Sequence, residues 1–225
     1  MTRVESTMAG NGRGARVFYA FGRAVIVGTV KVWNRVEVHG AEHVPTSGPF
    51  ILAPVHRSNL DTPYAAATTR RRLRFMGKDS LWKFRPFGWL LSSLGGFPVT
   101  RGSADREALK RCLDVLRGGE PVVLFPEGER KSGPLVQPLF DGAAYLASKT
   151  NVPIVPVGIG GSERAMSKGA RWIKPVKVHV VVGPALPASS HDGRRATRAE
   201  LKALTDQLHE DLQKLFDEAR VRAGD

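Results

Sequence analysis

The sequence predicts an α/β fold, a mixed and largely parallel sheet flanked by helices, with an amphipathic helical segment ahead of it. Three observations carry this expectation. Short runs of strand-forming apolar residues alternate with stretches whose apolar residues recur at helical spacing, the pattern of repeated β–α units. The 225 residues and 42% hydrophobic content suffice for one domain with a proper core and not for two independent ones. No internal repeat, low-complexity tract or interdomain linker breaks the pattern.

Residues 1–12 are rich in Gly, Ser and Thr and are expected to be disordered. Residues 13–34 carry Val17, Phe18, Phe21, Val25, Ile26, Val32 and Trp33, while Arg13, Arg16, Arg23, Lys31 and Asn34 fall on one stripe at about 100° per residue. This describes a helix lying in a membrane surface, its cations reaching anionic headgroups. A helix docked on the protein's own core would show the same pattern. The apolar stretch from Ala24 to Val30 is too short to span a bilayer, and no small-residue cleavage site follows it. Residues 35–225 then read as a single domain. Strands are expected over Val36–Val38, Phe50–Ala53, Arg74–Met76, Val122–Phe125, Ile154–Gly158 and Val176–Val182, with helices between most of them. One helix begins after Ser103, a suitable N-cap, and stops at Gly118-Gly119. The last opens with the capping-box spacing Thr197-Arg198-Ala199-Glu200 and carries Leu201, Leu204, Leu208, Leu212, Leu215 and Phe216 as an apolar stripe, which predicts a helix docked over the core.

A formal charge of +13 and a pI near 10.5 predict attraction to anionic surfaces: phospholipid headgroups, acyl carriers or nucleic acid. The cluster Arg70-Arg71-Arg72, Arg74, Lys78, Lys83 and Arg85, interleaved with Trp82, Phe84, Phe87 and Trp89, suits a bilayer interface or single-stranded nucleic acid. The single cysteine, Cys112, excludes an intramolecular disulfide framework and a multi-cysteine metal site. Its place among Ala108, Leu109, Leu113 and Leu116 marks it as a packed thiol. Neither a G-x-x-x-x-G-K-[ST] nor a well-placed G-x-G-x-x-G is present, which argues against nucleotide-dependent chemistry.

The most informative segment is Pro54-Val55-His56-Arg57-Ser58-Asn59-Leu60-Asp61-Thr62-Pro63. A neutral imidazole can take a hydroxyl proton, and a carboxylate on its other nitrogen fixes the tautomer and stabilises the imidazolium. Five residues of regular helix turn through about 500°, which puts His56 and Asp61 on different faces, so the pair needs a turn. The sequence supplies one between the strand ended by Pro54 and a helix opened by Thr62 as N-cap and Pro63. A base placed on a hydroxyl can activate it without an enzyme nucleophile. A covalent route has little support, since no G-x-S-x-G elbow is present and Ser162, after Gly160-Gly161, lacks the closing glycine.

Three further segments follow in order: Gly96-Phe97-Pro98-Val99-Thr100-Arg101-Gly102, Leu124-Phe125-Pro126-Glu127-Gly128-Glu129-Arg130 and Val152-Pro153-Ile154-Val155-Pro156-Val157. With His56 and Asp61 they resemble the motifs of the lysophospholipid and glycerolipid acyltransferase family, over roughly residues 36 to 185. The resemblance implies an α/β fold and transfer of a fatty acyl group from a thioester to a lipid hydroxyl. It implies His56 as general base and Asp61 as its orienting partner, with Arg101, Glu127, Gly128 and Arg130 shaping the acceptor's phosphate site. The simplest acceptor is 1-acyl-sn-glycerol 3-phosphate, giving phosphatidic acid; glycerol 3-phosphate or a lysolipid with another headgroup is the alternative, and a non-catalytic basic membrane- or RNA-binding module a distant one. The donor would be acyl-CoA or an acyl carrier protein thioester, with no cofactor and no metal. The partners implied are an anionic membrane surface and a lysophospholipid at the cytoplasmic face of the cell membrane, held peripherally or monotopically; nucleic acid is not expected. Two residues depart from the family pattern. Glu129 stands where Thr or Ser is usual, and Asp141 where a basic residue is frequent, and a carboxylate facing a phosphate would repel it.

Overall fold

The computed structural model describes residues 12–99, 105–188 and 196–225. Its sheet has seven strands: β1 (Glu37–His39), β2 (Ile51–Pro54), β3 (Arg74–Lys78), β4 (Gly96–Val99), β5 (Val122–Val123), β6 (Ile154–Gly160) and β7 (His179–Val182). Their order across the sheet is β1-β7-β6-β2-β5-β3-β4. The block β6-β2-β5-β3-β4 is parallel, whereas β7 runs antiparallel to β6 and β1 parallel to β7. The helices are α1 (Arg13–Trp33), α2 (Asp61–Ala66), α3 (Arg85–Ser93), α4 (Asp105–Arg117), α5 (Gly142–Thr150), α6 (Ser162–Ala165) and α7 (Arg198–Ala223). The expected mixed, largely parallel α/β architecture is the one observed.

The central strands β2, β5 and β6 are buried along their whole length, as parallel strands covered on both faces must be. All six expected strands are present, with ends that coincide or shift by up to three residues. The strand that periodicity missed is β4, whose Gly96 and Pro98 are poor strand formers. It lies at the sheet edge, with β3 as its paired neighbour, which is where proline's missing N–H can be tolerated. Against β6 lies α7, opened by the expected capping box and burying Leu204, Leu208, Leu212 and Phe216. Its close approach depends on Gly158 and Gly160: a Cβ there would sit 2.2 Å from the Leu215 carbonyl oxygen and 2.1 Å from that of Ala219. No side chain fits that gap. On α4 the thiol of Cys112 is fully buried, and burial pushes its pKa up to about 12, as suits a packed, unreactive cysteine. The expected N-cap Ser103 lies outside the described residues, as do residues 1–11.

Helix α1 corrects one expectation. Arg23 and Asn34, two members of the supposed headgroup-facing stripe, turn toward the protein. The Arg23 guanidinium donates to the carbonyls of Ala66 and Thr69. Asn34 donates to the Lys174 and Val176 carbonyls at 2.8 and 3.1 Å and accepts from the Tyr64 hydroxyl at 3.0 Å. Tyr19, Val27 and Val30 are buried beside them. The outward surface carries Val17 and Phe21, each 69% exposed, and Val32, 81% exposed, together with the exposed Arg13, Arg16 and Lys31. A polar side chain next to carbonyls that helices and strands leave unsatisfied finds partners there, so polarity alone misassigned Arg23 and Asn34. Among the described residues no helix is long and apolar enough to cross a membrane.

Candidate active site

The β2 strand delivers the chain to the carboxyl edge of the sheet, where the loops of parallel α/β folds collect functional groups. There residues 55–60 form the turn that the spacing of His56 and Asp61 requires. Asp61 itself, rather than Pro63, begins α2; the N-cap position falls on Leu60 without a side-chain cap, so Thr62 is not the cap. The physical reason is that the carboxylate takes over the turn's backbone donors. Its Oδ2 accepts the N–H groups of Arg57 and Ser58, both at 2.6 Å, and Nδ1 of His56 at 3.0 Å. Asp61 is wholly buried. A carboxylate can only accept here, so the imidazole carries its proton on Nδ1 and leaves the Nε2 lone pair open. The ring is 16% exposed and stacks on Phe125, centroids 4.0 Å apart and planes at 21°. Nε2 therefore meets solvent with its direction fixed from two sides. Near Asp61, burial and the carboxylate's charge hold the Tyr64 hydroxyl well above its ordinary range.

The loop after β5 supplies the second half. Both Glu127 carboxylate oxygens take Nη1 of Arg57, at 2.9 and 2.7 Å. Oε2 also accepts the His56 backbone N–H at 3.0 Å, and Oε1 that of Gln137 at 3.0 Å. The Arg57 guanidinium is fully buried. It donates further to the carbonyls of His56, Gly133 and Leu135 and lies 4.8 Å from the Phe216 ring centroid. Lys131 N–H closes the assembly on the His56 carbonyl at 2.9 Å. Arg57 is thus a functional residue that sequence reasoning missed. No local signal announced it, since its partner Glu127 lies seventy residues away and is buried only by the fold. Glu127 was expected to help shape the acceptor's phosphate site. It holds Arg57 instead, with no oxygen facing solvent.

Gly128 follows with φ +73°, a left-handed conformation that calls for glycine. Arg130 is half-exposed and makes no ion pair among the described residues, two positions beyond Gly128 and next to the residue bonded to His56. Arg101 lies outside the described residues. The two departing carboxylates have other work: Glu129 is exposed and pairs with Lys131 at 2.8 Å, and Asp141 accepts from the Thr205 hydroxyl at 2.9 Å. A separate trio lies across the sheet on β1 and β7. There His39 Nε2 is 3.0 Å from His179 Nδ1, and Glu37 is 3.6 Å from it. This is the group of metal-type ligands among the described residues, but a lysine ammonium, Lys177, occupies the other Glu37 oxygen at 2.7 Å.

Residues 35–160 match the family model described as Acyltransferase. A chloroplastic 1-acyl-sn-glycerol-3-phosphate acyltransferase of Brassica napus is 30% identical over 142 residues, 62% of this chain and 41% of that protein. The Streptococcus pneumoniae enzyme of the same name is 31% identical over 154 residues, 66% of this chain and 56% of its own. That of Bacillus subtilis is 26% identical over 189 residues, 84% of this chain and 88% of its own. The chain spans about two fifths of the length of the plant relatives it matches. Among solved structures, the 1-acyl-sn-glycerophosphate acyltransferase of Thermotoga maritima superposes with a TM-score of 0.72 at 24% identity, over 92% of this chain and 83% of that one. That likeness concerns the fold.

Proposed function

This chain belongs to the acyltransferase family, and from that premise we propose that it transfers a fatty acyl group from an acyl thioester to the free hydroxyl of a lysophospholipid. The acceptor is 1-acyl-sn-glycerol 3-phosphate and the product phosphatidic acid, the acceptor class that the names of its relatives carry. One observation supports the chemistry above the others: His56 Nδ1 is fixed by the buried Asp61 carboxylate at 3.0 Å while Nε2 stays open. In the proposed step Nε2 takes the hydroxyl proton as the acceptor oxygen bonds to the thioester carbonyl carbon. The C–S bond then breaks, and the imidazolium returns its proton to the leaving thiolate. Asp61 stabilises the imidazolium meanwhile and does not itself accept the proton. Arg130, which makes no ion pair among the described residues, and Arg101 recognise the acceptor phosphate with planar, charge-assisted forks.

Access to a bilayer-borne acceptor comes from an apolar surface. The outward face of α1 continues into α3, where Phe18 and Trp89 rings lie 5.3 Å apart and Phe84, Phe87 and Trp89 are exposed. Aromatic rings among cations suit the headgroup zone, so the protein works as a peripheral enzyme on the cytoplasmic membrane face. The test supplies radiolabelled acyl-CoA, or acylated carrier protein, with a panel of lysophosphatidate, glycerol 3-phosphate and lysolipids of larger headgroup, and locates the new acyl chain with phospholipase A2. Labelled phosphatidic acid that disappears with His56→Ala supports the reading. A folded His56→Ala protein with wild-type turnover overturns the base, and no product from lysophosphatidate overturns the acceptor.

A further inference from the structure

One exposed element is unused by the site and by the α1–α3 surface: the segment 166–177 between α6 and β7. Trp172 stands 82% exposed there, beside Ile173 at 42%. Lys168, Arg171 and Lys174 surround it, all exposed, with no ion pair among the described residues. The chain has no Asp or Glu between Arg164 and His191 to balance them. The segment is clamped in place. The Trp33 indole N–H donates to the Ile173 carbonyl at 3.1 Å, Asn34 to the Lys174 and Val176 carbonyls, and Arg35 to the Pro175 carbonyl at 3.0 Å. Lys174 N–H closes on the Ala165 carbonyl at 2.9 Å. The clamp is the C-terminal end of α1, where Val32 and Trp33 are exposed.

We propose that residues 166–177 are a docking element for the anionic phospholipid headgroups of a bilayer, Trp172 entering the interface while Lys168, Arg171 and Lys174 meet phosphates. The proposal extends the membrane reading above, and three features select this occupant. An indole with one apolar body and one N–H prefers the headgroup depth. Three cations around it, with no ion pair among the described residues, match a surface of phosphates. The patch adjoins the C-terminal end of α1, where the Trp33 indole N–H meets the Ile173 carbonyl, so it lies beside the exposed apolar residues of that helix. Through Ser58, whose hydroxyl donates to the Met166 carbonyl at 2.8 Å, the element is tied to the turn that holds His56, which sets the catalytic edge at a defined height over the lipid.

The experiment measures cosedimentation of the full chain with vesicles of phosphatidylcholine alone and with a third of phosphatidylglycerol, without donor or acceptor, so that its outcome is independent of acyl transfer. Each removed cation should weaken binding to the anionic vesicles about fivefold, so the triple variant Lys168→Gln, Arg171→Gln, Lys174→Gln loses on the order of 100-fold and changes little on neutral ones. Trp172→Ala should weaken binding to both. Wild-type Trp172 emission should be quenched by brominated lipid, read as the part missing in Trp172→Ala. All variants replace exposed side chains, and an unchanged melting temperature verifies the fold. Wild-type affinity of the triple variant for anionic vesicles overturns the proposal. So does a loss confined to a single-stranded RNA probe, which would make the patch a nucleic-acid contact.

Discussion

Replacing Glu127 with glutamine separates a residue that touches substrate from one that holds the base, because the two roles leave different kinetic traces. The change keeps the shape of the side chain and removes one charge from a buried pair. Each carboxylate oxygen receives one backbone N–H and the Arg57 guanidinium. Whichever oxygen becomes an amide nitrogen therefore faces donors with a donor. Arg57, fully buried, keeps the carbonyls of His56, Gly133 and Leu135 but no anion. Stranding one partner of a buried ion pair costs about 3–5 kcal/mol. For a chain of this size that corresponds to a fall in melting temperature of roughly 6–20 °C. The His56 backbone loses its acceptor as well, and a displacement of about 1 Å at a reacting group costs on the order of 100-fold in rate. The assay is thermal unfolding followed by acceptor-dependence kinetics at saturating donor. Turnover should fall 10- to 100-fold with acceptor KM nearly unchanged, and the double variant Arg57→Met, Glu127→Gln should regain part of the lost melting temperature by removing the stranded cation. A Glu127→Gln protein that melts with wild type and shows only a raised acceptor KM would refute the positioning role and return Glu127 to the substrate.

Four further outcomes are expected. Asp61→Asn should lower turnover by about 10²–10⁴-fold while the protein stays folded, because an amide can present its N–H to Nδ1 and favour the wrong tautomer; wild-type turnover would dismiss the dyad. Arg130→Ala and Arg101→Ala should each impair use of the phosphate-bearing acceptor and spare an uncharged monoacylglycerol, with lysine rescuing only in part because it keeps charge without the planar fork; equal losses on both acceptors would show that neither reads phosphate. Phe21→Asp and Val25→Asp should weaken vesicle binding without changing the melting temperature, whereas deleting residues 13–34 should destabilise the fold, since Tyr19, Val27 and Val30 are buried against it; a stable deletion variant would contradict the docking of α1. Burial lowers the pKa of His179 below its ordinary 6.5, with Glu37 opposing the shift and Lys177, His39 and Arg222 adding to it. Below 6.5 the unfolded chain then binds the proton more readily than the folded one, so His179 should make stability fall as pH drops through that window, and His179→Gln should flatten the slope of melting temperature against pH; an unchanged slope would assign it to other groups.

What the sequence made legible follows the range of the interactions involved. Ile51–Pro54 and Ile154–Gly160 could be read as strands because each is a continuous apolar run, the mark of a strand buried on both faces. His56 and Asp61 could be read as a pair because they are local: five residues and one turn decide whether they meet. β4 was not legible, because Gly96 and Pro98 hide an edge strand whose pairing is supplied by β3. The inward turn of Arg23 and Asn34 on α1 was not legible either. The partners that draw Arg23 inward, the Ala66 and Thr69 carbonyls, lie more than forty residues away, and no helical period encodes them.

The pairing of Arg57 with Glu127 belongs to the same non-local class, and it bears on the role proposed for His56. Seventy residues separate the two in sequence, and they meet because β5 pairs directly with β2, so their loops leave the sheet side by side. A buried arginine next to a general base would by itself oppose the imidazolium that forms when His56 takes a proton. Glu127 cancels that charge on the spot, through both oxygens. The remaining buried charge is then that of Asp61, aimed at Nδ1 and held by two backbone N–H groups. In the proposed step, in which Nε2 accepts the hydroxyl proton, the cluster of Asp61, Arg57, Glu127 and His56 goes from one net negative charge to neutrality. Proton transfer to the base thus relieves buried charge instead of creating it, and dipoles fixed before the reaction need no reorganisation as it occurs. On this account Arg57 and Glu127 form one unit that ties the two loops together while leaving the field at His56 to Asp61.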